Sequence, residues 1–205
     1  FAEIHHLTAT GGMTVIRNWG DGLFATGYDV PNNSWDYADI SLTTGTNDGL
    51  NNGAYKYDIR KLSFFGRVQY DLYGKYLISG MLRRDASTRF GPENRVGYFP
   101  SVTAGWILSE EAFLENSNTV SFLKLRGSFG VLGNDEAGGA QFYRSLLDGE
   151  ATYVLDGNLV NGTALGRIPN PASGWEESEK INFGVDLRMF NNKLDITADL
   201  FREDR

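Results

Sequence analysis

From residue 120 to 133 apolar and polar positions alternate strictly enough to name a strand. Leu123, Leu125, Gly127, Phe129 and Val131 hold the odd positions, and Lys124, Arg126, Ser128 and Gly130 fall between them. A period of two sends the two sets to opposite faces of a sheet. The run is longer than the ~5 or 6 residues of an ordinary strand, which suits a wall crossing a thick apolar layer better than a small sandwich.

The same pattern recurs along the chain. Residues 4–17 place Leu7, Ala9, Gly11, Met13 and Val15 on one face. Residues 62–72 alternate Phe64, Gly66, Val68, Tyr70 and Leu72 with Phe65, Arg67, Gln69 and Asp71. Residues 76–85 alternate less cleanly, because Leu77 and Met81 oppose Ile78, Gly80 and Leu82. Residues 98–108 carry Val102, Ala104, Trp106 and Leu108, and residues 194–202 carry Leu194, Ile196, Ala198 and Leu200. The cleanest run is 176–190, where Ile181, Phe183, Val185, Leu187 and Met189 face away from Asn182, Gly184, Asp186 and Arg188. Tyr73-Gly74-Lys75 and Asn191-Asn192 read as tight hairpin turns, the latter a two-residue primed turn. Ser109 to Leu114 reads as one helical turn capped by Ser109.

Seven antiparallel up-and-down strands result, and their connectors alternate in size. Residues 18–61, 86–97 and 134–175 are long or intermediate and lie at one end, while 73–75, 109–119 and 191–193 lie at the other. Gly, Asn and Asp give 18–61 and 134–175 the composition of loops. Short turns at one end and long loops at the other are the signature of a membrane barrel. The expected fold is therefore all-β, a single partial domain over 1–205 that forms about seven strands of a large transmembrane β-barrel with long outer loops. Tyr70, Tyr73, Tyr76 and Phe190 near the short turns, and Phe90, Tyr98, Phe99 and Trp175 near the long loops, suit interfacial girdles.

Composition narrows this reading. Mean hydropathy is -0.33, and no run approaches the ~18 apolar residues of a membrane helix. A net charge of -7 argues against a nucleic-acid partner, which needs a basic stripe. The absence of cysteine removes thiol catalysis and Cys-ligated zinc. The first residues show neither a basic n-region nor an apolar h-region of a signal peptide.

Three segments taken together resemble a family. They are SFFGRVQYDLYGKYLISGMLRRDASTRFGPENRVGYFPSVTAGWILSEEAFL, VSFLKLRGSFGVLGND and NPASGWEESEKINFGVDLRMFNNKLDITADLF. In this order they resemble the SusC/RagA-like TonB-dependent outer-membrane transporters of Bacteroidetes. The resemblance implies a large barrel of ~22 strands, plugged by an N-terminal domain, energised by TonB and lidded by a SusD-like lipoprotein. Its expected location is the bacterial outer membrane, with lipid around it and a glycan or peptide as ligand. No plug domain or TonB box is seen in the sequence. Seven strands with both edges unpaired are expected to be a segment from the middle of such a barrel.

The candidate sites are those of a transporter, with no catalytic constellation, cofactor or metal site expected. Adjacent His5 and His6 point to opposite faces and cannot chelate one ion together. Asn134-Asp135-Glu136 reads as a solvated acidic turn. Asn32-Asn33-Ser34 and Asn161-Gly162-Thr163 match glycosylation acceptors, by accident in a bacterial outer-membrane protein. Trp19, Tyr28, Trp35 and Tyr37 in the first long loop, with Tyr143 and Tyr153 in the second, suit stacking on sugars or contact with a lipoprotein lid. Packing of the loops on themselves explains these rings equally well. Arg67, Gln69, Lys124, Arg126, Asn182, Asp186 and Arg188 are expected to face the lumen. The alternatives are a soluble all-β carbohydrate-binding or adhesion module and, less favoured, a passive porin.

Overall fold

A computed structural model of the chain describes residues 4–32, 34–44, 51–136, 142–147 and 149–205, the side chains of Tyr37 and Glu150 excepted. Nine strands are assigned among these residues. They are β1 (His5–Thr26), β2 (Asn51–Leu72), β3 (Tyr76–Ser87), β4 (Val96–Ile107), β5 (Val120–Asn134), β6 (Gly149–Leu155), β7 (Asn158–Ala164), β8 (Glu176–Met189) and β9 (Leu194–Asp204). Seven make one sheet in the order β1-β2-β3-β4-β5-β8-β9, and β6 and β7 pair separately. Phe1–Ile16 with Lys61–Arg205 forms one compact unit, and Arg17–Arg60 forms another.

In the first unit the antiparallel register follows from the alternation in sequence. Val68 pairs with Gly80, Gly80 with Val102, Val102 with Phe129, and Phe129 with Ile181. The next row runs Tyr70, Ile78, Ala104, Gly127, Phe183 and Leu200. Small residues, Gly80 in one row and Ala104 and Gly127 in the other, thus sit between large apolar side chains on one face. A slip of one residue would turn that whole face over.

Among the described residues this apolar face is left exposed. Phe183 is 55% exposed and Leu200 78%, and Val68, Ile78, Leu82, Val102 and Ile181 are also exposed. The only buried hydrophobic side chains among the described residues are Phe90 and Phe99, at 1% and 4%. These two, and Trp175 with them, do not join an outward girdle. Phe90 and Phe99 pack on Trp175, with centroids 5.5 and 5.1 Å apart, and Phe99 lies on the opposite face from Val102. Position parity in β4 explains the correction, since Phe99 is odd and Tyr98, which is exposed, is even. The ring of Phe99 covers Gly97 and Gly133, where an added Cβ would come within 2.5 and 2.0 Å of ring carbon.

At the short-turn end, Tyr73 and Gly74 take φ of +59° and +66°, and the Lys75 N–H donates to the Leu72 carbonyl at 3.0 Å. Tyr76 stacks on Trp106 at 6.3 Å, and Glu111 accepts from the Tyr76 hydroxyl at 2.6 Å and from Trp106 Nε1 at 3.1 Å. These bonds, the tyrosine's foremost, hold the Glu111 carboxyl below its ordinary pKa. They also draw the chain into a 3-10 turn at Leu108–Glu110, so Ser109 lies within the turn and does not cap it. The β8–β9 turn is longer than two residues, because Phe190, Asn191 and Asn192 all take positive φ between the last rung, Met189 with Leu194, and the chain reversal.

The second unit corrects the first long loop. Strands β1 and β2 each run 22 residues, so much of 18–61 is extended chain. Three of its glycines lie beneath cross-strand rings: Tyr57 lies over Gly20, Tyr55 over Gly22 and Phe24 over Gly53. Among the described residues between the strands are two 3-10 turns, Trp35–Tyr37 and Ile40–Leu42. Asp39 caps the latter by accepting from the Ser41 N–H at 2.8 Å. The other long loop, 134–175, contains the β6–β7 hairpin, closed by Asp156-Gly157 with both φ positive. Asp-Gly between apolar runs is the strongest short hairpin signal, and TYVLDGNLV carries it.

Replacing Gly133 by alanine is expected to cost about 1–3 kcal/mol, the usual price of overpacking, because buried Phe99 has nowhere to go. Denaturant unfolding of the variant measures this, and an unchanged midpoint would show that the ring moves freely.

Candidate functional site

The face opposite the apolar one is polar and concave. Strands β1 to β5 and β8 together line a cavity of about 550 Å³. Gln69, Ser79, Thr103, Ser128 and Asn182 occupy one cross-strand row of it. The Ser79 and Thr103 hydroxyls lie 2.6 Å apart. Five of the seven residues expected at a lumen, Arg67, Gln69, Lys124, Arg126 and Asn182, line this cavity. Lys124 lies across Gly105, which leaves room for its stem.

Asp186 and Arg188 lie on the same face of β8 and are used in ion pairs. The Arg126 guanidinium spreads over Gly184, where a Cβ would be 2.5 Å from Cζ. From there it reaches Asp186 at 3.1 Å and Asp199 at 2.7 Å. Arg188 pairs with Asp195 at 3.3 Å and lies over the Phe122 ring at 5.2 Å. The wall therefore offers hydroxyl, amide and charged groups suited to non-covalent recognition. Among the described residues no cluster of three His, Cys, Asp or Glu side chains is placed to hold a metal ion.

Where β5 and β8 end, a knot of side chains forms that local sequence pattern does not reveal. Asp135 is not a solvated acid, being 8% exposed. Its Oδ1 receives Lys61 Nζ at 3.0 Å, and its Oδ2 accepts from the Ser87 hydroxyl at 2.8 Å. Arg89 stands 4.0 Å away. Trp175 Nε1 donates to the Arg95 carbonyl at 3.2 Å, and Lys61 Nζ sits 5.1 Å from the Trp175 ring centroid. Lys61, Asp135 and Trp175 are far apart in the chain, so no motif marks them.

The loop aromatics divide between the units. Trp19, Tyr28 and Trp35 belong to Arg17–Arg60 and are exposed, Trp35 at 92%. Arg17 stands over the Trp19 ring at 5.9 Å and pairs with Asp58 at 3.0 Å. The side chain of Tyr37 and residue Asn33 lie outside the described residues. Tyr143 and Tyr153 belong to the other unit: Tyr143 lies beside Gly91, and Tyr153 leans over Gly162 with half its surface exposed.

No family model matches the chain. It is 31% identical, over 98% of its length, to the TonB-dependent receptor P39 of Formosa agariphila. It is 34% identical, over 65% of its length, to the TonB-dependent receptor SusC of Bacteroides thetaiotaomicron. The fold superposes on the RagAB peptide importer in its closed-closed state with a TM-score of 0.78, at 29% identity over 99% of this chain and 22% of that one. The chain belongs to the SusC/RagA-like TonB-dependent receptors. It spans 19% of the length of the Formosa relative, and the part it spans is β-barrel wall.

In this receptor family segment the knot around Asp135 gives a pH expectation. Burial raises the Asp135 pKa, but hydrogen bonds from Lys61 and Ser87 and the charges of Lys61 and Arg89 outweigh it, leaving the carboxyl below its ordinary 3.8. A depressed carboxylate stabilises the fold above its ordinary pKa and loses that effect as pH falls through the lowered value. Protease resistance at residues 135–136 is therefore expected to be flat from about pH 8 to 5 and to fall only below about pH 4. Loss of resistance near pH 6 would contradict the assignment.

Proposed function

We propose that the chain forms part of the barrel wall of a bacterial outer-membrane transporter that imports an oligosaccharide or peptide. The observation that carries this is a sheet with one continuous, uncovered apolar face and one polar concave face, as a lipid-facing wall around an aqueous lumen requires. The relatives support it through their names, TonB-dependent receptor and SusC, and through the RagAB peptide importer. In this reading TonB supplies energy through a plug domain, and a SusD-like lipoprotein closes over captured cargo. Import is non-covalent: outer-loop residues and lid bind, the plug rearranges, and cargo passes the polar wall.

Strand length agrees with the proposal. A membrane strand needs ~9–11 residues, so the 22 residues of β1 and of β2 exceed what the bilayer takes up. Trp19, Tyr28, Trp35, Tyr37, Tyr143 and Tyr153 serve here as cargo or lid contacts. Arg67, Gln69, Lys124, Arg126, Asn182, Asp186 and Arg188 serve as the polar lining. Lid closure follows cargo only if cargo binds the closed state more tightly.

Two outcomes are expected. Phe183→Arg in the full-length receptor is expected to cost about 2–4 kcal/mol when folding is measured in lipid vesicles, the penalty of a cation at the bilayer midplane; a cost near zero would place that face in water. A strain lacking the receptor is expected to lose growth on either casein peptides or maltooligosaccharides as sole nutrient. Trp35→Ala would then raise the half-saturating concentration about 2–10-fold, the worth of one aromatic contact. Normal growth on both nutrients would contradict import of either of these two cargoes.

A further inference from the structure

The knot at the end of β5 and β8 does more than bury two rings. The last rung between these strands is Asn134 with Glu176, reinforced by the Asn134 amide donating to Glu176 at 3.1 Å. Asp135 and Trp175 are therefore the first residues beyond it at either root of the second long loop. The strand pair already closes that loop. What remains open is the direction in which the two roots leave the sheet.

Lys61 decides that direction. It stands on β2, and the sheet order places β3 and β4 between β2 and β5. Three strand spacings of ~4.8 Å come to roughly 14 Å, too far for a lysine side chain to bridge across a flat sheet. The contact at 3.0 Å is met because Asp135 turns back over the concave face. Its path is marked by Ser87 on β3, which binds the same carboxylate, and by Phe99 on β4, whose ring fills the space over Gly97 and Gly133. Trp175 turns the same way, onto Phe99 and Phe90. Lys61 is the residue that engages both roots, by an ion pair with Asp135 and over the ring face of Trp175.

The partners are not equivalent. Arg89 is at 4.0 Å from Asp135 and also stands 3.7 Å from Glu136, and the Ser87 hydroxyl carries no charge. Without Lys61 the Asp135 carboxylate keeps one neutral hydrogen bond and a distant cation while nine-tenths buried. Breaking one half of a buried pair in that way is strongly unfavourable. Relief comes when Asp135 swings out to water, and the loop root goes with it.

We infer that Lys61 is a positioning residue that holds both roots of the loop between β5 and β8 folded inward over the concave wall. The loop thus leaves the wall from a fixed sill, and whatever it captures is presented above the polar cavity. The claim goes beyond the import reading and does not depend on the cargo.

The test is amide hydrogen exchange by mass spectrometry on the purified full-length receptor, comparing the parent with Lys61→Met and Lys61→Arg. Methionine keeps the stem and removes the charge; arginine keeps a cation able to pair and to cover a ring. Lys61→Met is expected to speed exchange in peptides covering 142–175 by about tenfold or more, as loss of a charge-assisted contact implies. Lys61→Arg is expected to stay within about threefold of the parent, and peptides from β3 and β4 are expected not to change. Unchanged exchange in Lys61→Met would overturn the inference. So would faster exchange throughout β3 and β4, which would make Lys61 a general fold residue. Because no cargo enters the measurement, its failure leaves the import reading standing, and failure of the import reading leaves the clamp standing.

Discussion

A continuous apolar sheet face left exposed among the described residues is the constraint on which the rest of this structure depends. The rows through Val68, Val102, Phe129 and Ile181, and through Ile78, Phe183 and Leu200, are apolar and exposed. A soluble sandwich would lay a second sheet on them, and water would penalise them as they stand. In the proposed membrane setting lipid would remove the conflict, because it asks only that every backbone group be paired and every outward side chain be apolar. The long strands, the two-residue period and the small residues set between large ones across each row are then parts of one solution.

The opposite face shows the complementary logic. Charges there are placed in pairs, Arg126 with Asp186 and Asp199 and Arg188 with Asp195, so the lining is polar while most of its charge is balanced locally. Arg67 and Lys124 add positive charge to the cavity beside Asp71. In the proposed import this polar wall would line the path of the cargo, and the side-chain knot at Asp135 lies at its end, where β5 and β8 meet the second long loop.

How much of this was legible in the chain depends on distance and on glycine. All seven wall strands followed from alternation, since each strand declares its own two faces. The second unit was misread because Gly20, Gly22 and Gly53 look like loop residues, whereas each lies beneath a ring from the neighbouring strand. Gly133 beneath Phe99 and Gly184 beneath Arg126 repeat the device. A glycine's meaning there is set by a cross-strand partner, and only the register supplies it. The Asp156-Gly157 hairpin was missed when 134–175 was read as loop, although its turn signal stands in the sequence. The group of Lys61, Asp135 and Trp175 was not legible, because a contact across three strands leaves no local pattern, and parity alone moves Phe99 from an outer girdle to the inner knot.

The most direct test of the account is a nitroxide scan along β8, labelling residues 181 to 188 one at a time in the full-length receptor reconstituted in bilayers. Oxygen accessibility is expected to peak at positions 181, 183, 185 and 187, while a water-soluble nickel reagent is expected to prefer 182, 184, 186 and 188. Water accessibility at the odd positions equal to that at the even ones would contradict a lipid-facing wall and the function built on it.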